Sequence, residues 1–238
     1  MDKKPSILAL VPARGGSKGL VGKNLYPIMG KPLLQYTLEE AQKSQHISQL
    51  MMSSEDKGIN DFAQSLGVNV DYIRPASLAE DNTTTAQTVL HALDWLEKKG
   101  KLPDAIVLLQ PTSPLRTAKD IDGAIEQFLT SEKSSLLSVQ KMKEHPYKCI
   151  QKTEDGWDYL AQPSKYVSRR QDYEDDYYVI NGAIYIVTPK FLRKNGEFTT
   201  GGDSELFVMD VVSGVDVDDL ADVFQVESLL KMRKMQLK

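Results

Sequence analysis

Ile7-Leu8-Ala9-Leu10-Val11-Pro12, running on into Ala13-Arg14-Gly15-Gly16-Ser17-Lys18-Gly19-Leu20-Val21-Gly22-Lys23-Asn24, decides how the chain is read. A short apolar run closed by proline reads as a buried strand of a parallel sheet. The glycine-rich stretch behind it sits where α/β sheets bind ligands, beyond the carboxyl end of a strand. Gly15, Gly16, Gly19 and Gly22 let backbone N–H groups approach an anion closely. Arg14, Lys18 and Lys23 add cationic donors for phosphate oxygens. The loop is not a Walker A motif: Ser17 stands five before Gly22, and Asn24 comes after Lys23 where Ser or Thr would hold magnesium. It also lacks G-x-G-x-x-G. A loop of merely solvated charges would not account for cations and glycines gathered directly behind the first strand.

Outward from this loop, strand and helix signals alternate. Pro32 suits the first turn of a helix carrying Leu34, Leu38 and Ala41. Residues 50–54 read as a second strand. Ile59, Phe62, Ala63 and Leu66 keep helical spacing and stop at Gly67. Residues 68–73 read as a third strand, 83–99 as a helix, 105–109 as a strand. Ile121, Ala124, Ile125 and Phe128 mark another helix, and 136–139 another strand. The expected fold is α/β, with a doubly wound, mostly parallel, Rossmann-like sheet. From about Lys141 to Tyr178 the helical period disappears. That stretch holds Trp157 and six of the ten tyrosines: Tyr147, Tyr159, Tyr166, Tyr173, Tyr177 and Tyr178. It reads as a β-rich arm inserted into one domain spanning 1–238. Residues 181–187 and 206–209 return to strand. A last helix, about 219–234, is expected to turn Leu220, Val223 and Leu230 inward.

The composition narrows the function. With 238 residues, 41% hydrophobic and 26% charged, the chain has ample material for a core. A net charge of −4 argues against a nucleic-acid-coating surface. The lone Cys149 excludes an internal disulfide framework, and His46, His91 and His145 are too scattered for a structural zinc site. No apolar run is long enough for a membrane span or a signal-peptide core, so a cytoplasmic protein is expected. The sequon Asn82-Thr83-Thr84 is discounted for the same reason.

Two further motifs carry chemistry. Leu109-Gln110-Pro111-Thr112-Ser113-Pro114-Leu115-Arg116 stands directly after a central strand. Its prolines stiffen the turn, and Gln110, Thr112 and Ser113 can present polar groups to the same crevice; alone it could equally be a plain turn. In Val215-Asp216-Val217-Asp218-Asp219, extended backbone sends Asp216 and Asp218 to one side. Two such carboxylates repel unless a divalent cation lies between them or one serves as a base. Helix capping needs one acid, and Asp219 suffices for it.

Together these motifs resemble the CMP-sialic acid synthetase family, the acylneuraminate cytidylyltransferases. The likeness extends over essentially the whole chain, through Arg74-Pro75, Arg169-Arg170-Gln171-Asp172 and Asn181-Gly182-Ala183-Ile184-Tyr185 in the family's order. Val21 stands where relatives often carry proline, and VDVD where many read IDID. The resemblance implies a transferase that joins a nine-carbon 2-keto acid sugar to CMP, using CTP and Mg²⁺ and releasing pyrophosphate. It implies catalytic roles for Arg14, Lys23, Asp216 and Asp218. Nucleotide contacts would come from Ala13, Arg14, Gly15, Gly16, Lys23, Asn24, Arg74, Asp81 and Thr85. Gln110, Thr112, Ser113, Arg170, Gln171 and Asn181 would face the sugar. Asp216 and Asp218 would hold the metal, and the arm would make a homodimer. A synthetase for the eight-carbon sugar KDO shares a similar first loop. A non-catalytic nucleotide-sugar-binding module should have lost a phosphate cation or an acidic ligand, and an interaction protein built on the arm would leave the loop and the acid pair unexplained.

Overall fold

The computed structural model describes residues 4–161 and 176–236. Tyr166, Tyr173, Arg169, Arg170 and Gln171 lie outside the described residues. The order begins with β1 (Ile7–Pro12), a two-residue pair β2 (Pro27–Ile28) and β3 (Lys31–Pro32), α1 (Leu33–Lys43), β4 (Gln49–Ser53) and α2 (Lys57–Ser65). It continues with α3 (Thr85–Lys98), β5 (Ala105–Leu108), α4 (Ala118–Thr130) and β6 (Ser135–Lys141). A hairpin of β7 (Ile150–Thr153) and β8 (Gly156–Tyr159) leads to β9 (Tyr178–Val187), α5 (Pro189–Asn195), β10 (Ser204–Met209) and α6 (Leu220–Gln236).

Six strands form one sheet in the order β10-β6-β9-β5-β1-β4. Alternation along β1 explains its two faces. Ile7, Ala9 and Val11 pack with α1, α2 and α4, while Leu8 and Leu10 pack with α3 and α5. A third cluster joins Ile28, Leu33 and Leu115 to Val217, Val223 and Val226, which seats α6 beside the glycine loop.

The doubly wound, mostly parallel α/β reading holds, with one antiparallel strand in the sheet, and three local expectations change. Strand β9 lies antiparallel between β5 and β6, so the sheet is mixed. Its register against β6 shifts between Leu137 and Val139. There Gly182 takes a φ of +72°, and Ser138 Oγ accepts from Ile184 N while donating to Asn181 Oδ1. Residues 68–73 make only single bridges, Asn69 to Met51 and Ile73 to Ser54. Asn69 Oδ1 accepts the Asp71 N–H at 2.8 Å, a local bond that competes with the ladder. Pro32 precedes α1 instead of entering its first turn. Leu220 is 46% exposed, and Val226 is the residue that turns inward beside Val223. Helix α5 has no counterpart in the sequence reading, although Thr188 caps it through Phe191 N and Gly196 ends it at a φ of +69°.

Candidate active site

Strands β1, β5 and β6 end on the same edge of the sheet, and two hollows open beyond them. The larger, about 460 Å³, is lined by Ala13, Arg14, Ser17, Lys18, Gly19, Lys23 and Asn24 of the glycine loop, by Gln110 to Thr112 and by Asp218. The smaller, about 260 Å³, is lined by Arg74, Asp81, Thr85 and Thr88 among others. Pro12, Arg14 and Gln110 border both. The fold therefore brings Ala13, Arg14, Lys23 and Asn24 to one chamber and Arg74, Asp81 and Thr85 to the next.

The loop's shape results from its contacts. A Cβ on Gly19 would stand 2.5 Å from the Asp218 carbonyl oxygen, and one on Gly15 would stand 2.6 Å from Asp56 Oδ2. At Gly19 the neighbour is backbone, so only glycine allows that approach, whereas at Gly15 it is the Asp56 carboxylate that would have to move. Buried Asn24 donates from Nδ2 to the Arg14 carbonyl at 2.9 Å, tying the two ends of the loop together. Ala13 N bonds to Ser53 O at the end of β4. Around Gly16 there is open space.

Each loop cation faces a carboxylate. Arg14 Nη1 meets Asp81 Oδ1 at 2.9 Å, and Lys18 Nζ meets Asp81 Oδ2 at 2.8 Å. Those two cations, Lys18 foremost, hold the Asp81 carboxyl below its usual range. Lys23 Nζ is mostly buried and donates to the Val217 carbonyl and to Asp218 Oδ1, both at 3.0 Å.

Val217 N bonds to the Thr112 carbonyl at 2.8 Å, which lays the acid pair against the turn after β5. Asp219 caps α6, accepting from Ala221 N and Asp222 N, so Asp216 and Asp218 are free of that duty. Asp216 reaches solvent by surface area, yet the walls around it limit its hydration, and burial is the chief cause that raises its pKa. Repulsion from Asp218 adds to this, while the Thr112 hydroxyl and Lys23 oppose it. Tyr185 on β9 is raised by burial and then by Asp216. Among the described residues no three His, Cys, Asp or Glu converge as a metal cage. Two hard oxygen donors with residual repulsion fit magnesium, which completes its shell with phosphate oxygens and water.

Several anticipated residues are occupied by the protein itself. The Gly15 N–H is taken by Glu55 Oε1, and Arg74 is 5% exposed and paired with Glu55 Oε2. Ser113, by contrast, is buried, and its hydroxyl has no hydrogen-bond partner among the described residues. Asn181 is half-buried and accepts from Ser138 and from Ala183 N. Sequence reasoning missed Glu55 and the role of Arg116. The guanidinium of Arg116, 2% exposed, donates to the carbonyls of Gln110 and Ala183 and to Thr37 Oγ1. Burial lowers its pKa to about 10. A charge beside Ser53-Ser54, directly after a strand, was the available signal for Glu55.

Comparisons with known proteins give the family and the fold. The profile described as Cytidylyltransferase matches residues 8–187. The CMP-N,N'-diacetyllegionaminic acid synthase of Legionella pneumophila is 32% identical over 236 residues, covering 97% of this chain and 99% of that protein. An N-acylneuraminate cytidylyltransferase of Escherichia coli O18:K1:H7 is 29% identical, covering 99% of this chain and 54% of that protein. A solved CMP:2-keto-3-deoxy-manno-octonic acid synthetase, complexed with CTP, superposes with a TM-score of 0.72 at 17% identity over 96% of this chain and 99% of that one, a likeness of fold.

Proposed function

This chain belongs to the cytidylyltransferase family of nucleotidyltransferases, and from that premise we propose that it activates a nine-carbon 2-keto acid sugar with CTP. The products are the CMP-sugar and pyrophosphate. The observation that carries this reading is the meeting of Arg14, Lys18, Lys23 and Asp218 at one chamber, beside a second that holds Arg74.

In this reading the sugar's anomeric hydroxyl attacks the α-phosphorus in line. The new bond joins that oxygen to phosphorus, the hydroxyl proton passes to solvent, and the bond to the bridging oxygen of pyrophosphate breaks. The protein positions the reactants and stabilises charge. Arg14 and Lys23 exchange their carboxylate partners for phosphate oxygens, and the open space at Gly16 admits the anion. Arg74, Asp81 and Thr85 bound the nucleoside. Gln110, on the border of both chambers, Thr112 and Asn181 address the sugar, joined by Arg170 and Gln171. Asp216 and Asp218 would hold Mg²⁺, which supplies charge neutralisation and lowers the pKa of a bound hydroxyl.

A homodimer is part of the proposal. Ile150, Trp157, Tyr159 and Leu160 of the arm are exposed, as are Tyr178, Val179 and Ile180 where β9 begins. Leu206 and Val208 on the edge strand continue this apolar surface. Exposed aromatic and aliphatic side chains of this kind suit an interface core.

The test is CTP-dependent pyrophosphate release with a panel of acids: N-acetylneuraminate, legionaminate, pseudaminate and the eight-carbon KDO. Turnover with a nine-carbon acid is expected. Turnover with KDO alone, or none with any acid, refutes the substrate assignment.

A further inference from the structure

Glu55 stands where β4 leaves the sheet, against the start of the glycine loop and Arg74, and no step of the proposed reaction uses it. Its Oε1 accepts the Gly15 N–H at 2.8 Å. Its Oε2 accepts from Arg74 Nη2 at 2.5 Å and from Arg74 Nε at 3.1 Å. The side chains of Arg74 and Glu55 are 5% and 19% exposed, so this is not a solvated surface pair of little consequence. The neighbouring Asp56 caps α2 through Ile59 N and lies against the face of Gly15 that a side chain would fill. The segment 54–56 therefore closes on the start of the phosphate loop from below.

We propose that Glu55 is a positioning residue that holds the glycine loop and Arg74 in one fixed relation, so that the phosphate and nucleoside ends of the ligand meet the protein at a spacing set by a single carboxylate. The inference rests on the reading of these two chambers as the CTP site. The guanidinium is planar and its donors are fixed relative to one another. With Nε and Nη2 engaged by Glu55, Nη1 is the nitrogen that makes no hydrogen bond among the described residues, and Arg74 lines the smaller chamber. The other carboxylate oxygen orients the first peptide of the loop, next to Arg14 and the open space at Gly16. Removing Arg74 should affect only the nucleoside end, and removing Arg14 the phosphate end. Removing the Glu55 charge should affect both.

The experiment measures calorimetric affinities of the full chain for CMP and, separately, for inorganic pyrophosphate, with steady-state kinetics on CTP and circular dichroism to monitor folding. Glu55→Gln is expected to weaken both ligands by about tenfold, the scale of one charge-assisted hydrogen bond each. Its KM for CTP should rise by more than its kcat falls. Arg74→Ala should weaken CMP and spare pyrophosphate. The double variant should bind CMP no more weakly than Arg74→Ala alone, because Glu55 acts on that end through Arg74. Glu55→Asp, which keeps the charge, should recover part of the affinity for at least one ligand, and it carries the test if Glu55→Gln does not fold. A folded Glu55 variant that binds both ligands as the parent does overturns the proposal, as does an additive loss of CMP affinity in the double variant. If the parent chain binds neither CMP nor pyrophosphate, the reading of the site falls first and this inference falls with it.

Discussion

The glycine loop after β1 and the arm after β6 leave the sheet on the same edge, and they differ in what meets them. The loop is tied to the rest of its own chain at every few residues: Ala13 to Ser53, Gly15 to Glu55, Lys23 to Val217, Asn24 to Arg14. The described part of the arm is tied mainly to itself. Strands β7 and β8 pair with each other, Leu160 N bonds to Cys149 O, and the rings of His145, Tyr147 and Tyr177 pack tilted or edge-on with centroids 4.6 to 5.8 Å apart. Trp157 packs edge-on against Tyr159 while remaining 56% exposed. A segment whose polar groups are answered within the chain is shaped before any ligand arrives. A segment that turns aromatic rings away from the other described residues offers the apolar surface on which the proposed dimer rests.

The strongest way to break this contrast is through the acid pair. Asp216→Asn and Asp218→Asn are each expected to lower kcat about a thousandfold with little change in folding, and the double variant should be little worse than either. Persistent turnover in excess EDTA removes the metal assignment. Next comes the interior tie. Arg116→Met takes donors from the carbonyls of Gln110 and Ala183 and from Thr37, and should cost about 3 kcal/mol in urea unfolding. A loss below about 1 kcal/mol would mean that relief of guanidinium desolvation offsets the lost bonds.

Smaller effects test each region by itself. Arg14→Ala and Lys23→Ala should each lower kcat/KM for CTP by about tenfold or more and leave the far-ultraviolet spectrum unchanged. In the arm, Ile150→Ser with Trp157→Ser should loosen the dimer by at least about tenfold in sedimentation while the monomer keeps its melting temperature. A dimer of unchanged strength would put the interface elsewhere. The smallest effect is electrostatic. The folded pKa of Asp216 lies above its ordinary 3.8, so its contribution to stability is present below that value and is lost as pH rises through the folded one. Asp216→Asn should therefore melt slightly higher than the parent at pH 7, with the difference shrinking toward pH 3.

Much of this was legible in the chain. Residues 7–11, 105–109 and 136–139 are apolar enough to be read as buried strands, and Ile121, Ala124, Ile125 and Phe128 name their own helix face. Arg14, Lys23, Gln110 and Asp218 are expected at one edge and line one chamber. The rest depended on distant partners. Residues 68–73 carry an acceptable strand pattern, but Asn69 satisfies the backbone locally. Leu220 keeps helical spacing with Val223, yet the capping by Asp219 and the neighbours Ile28 and Leu115 decide which side of α6 is covered.

What the sequence by itself determined is local in origin: the alternation of strand and helix, the capacity of the glycines for close approach, the caps at Thr84, Thr117 and Asp219, and the presence of cations and carboxylates in the right motifs. Those depend on φ preferences, side-chain period and hydrogen bonds spanning a few residues. Only the tertiary structure decided that β9 runs antiparallel through the middle of the sheet, that Lys23 meets Asp218 across 195 positions of chain, and that Glu55 answers both Gly15 and Arg74. Each of those pairings has close alternatives in the sequence, since any buried strand can pair in either direction and any carboxylate can neutralise any nearby cation. The choice is made by the packing of the whole core, which fixes where each strand ends and so which charged groups are left facing one another.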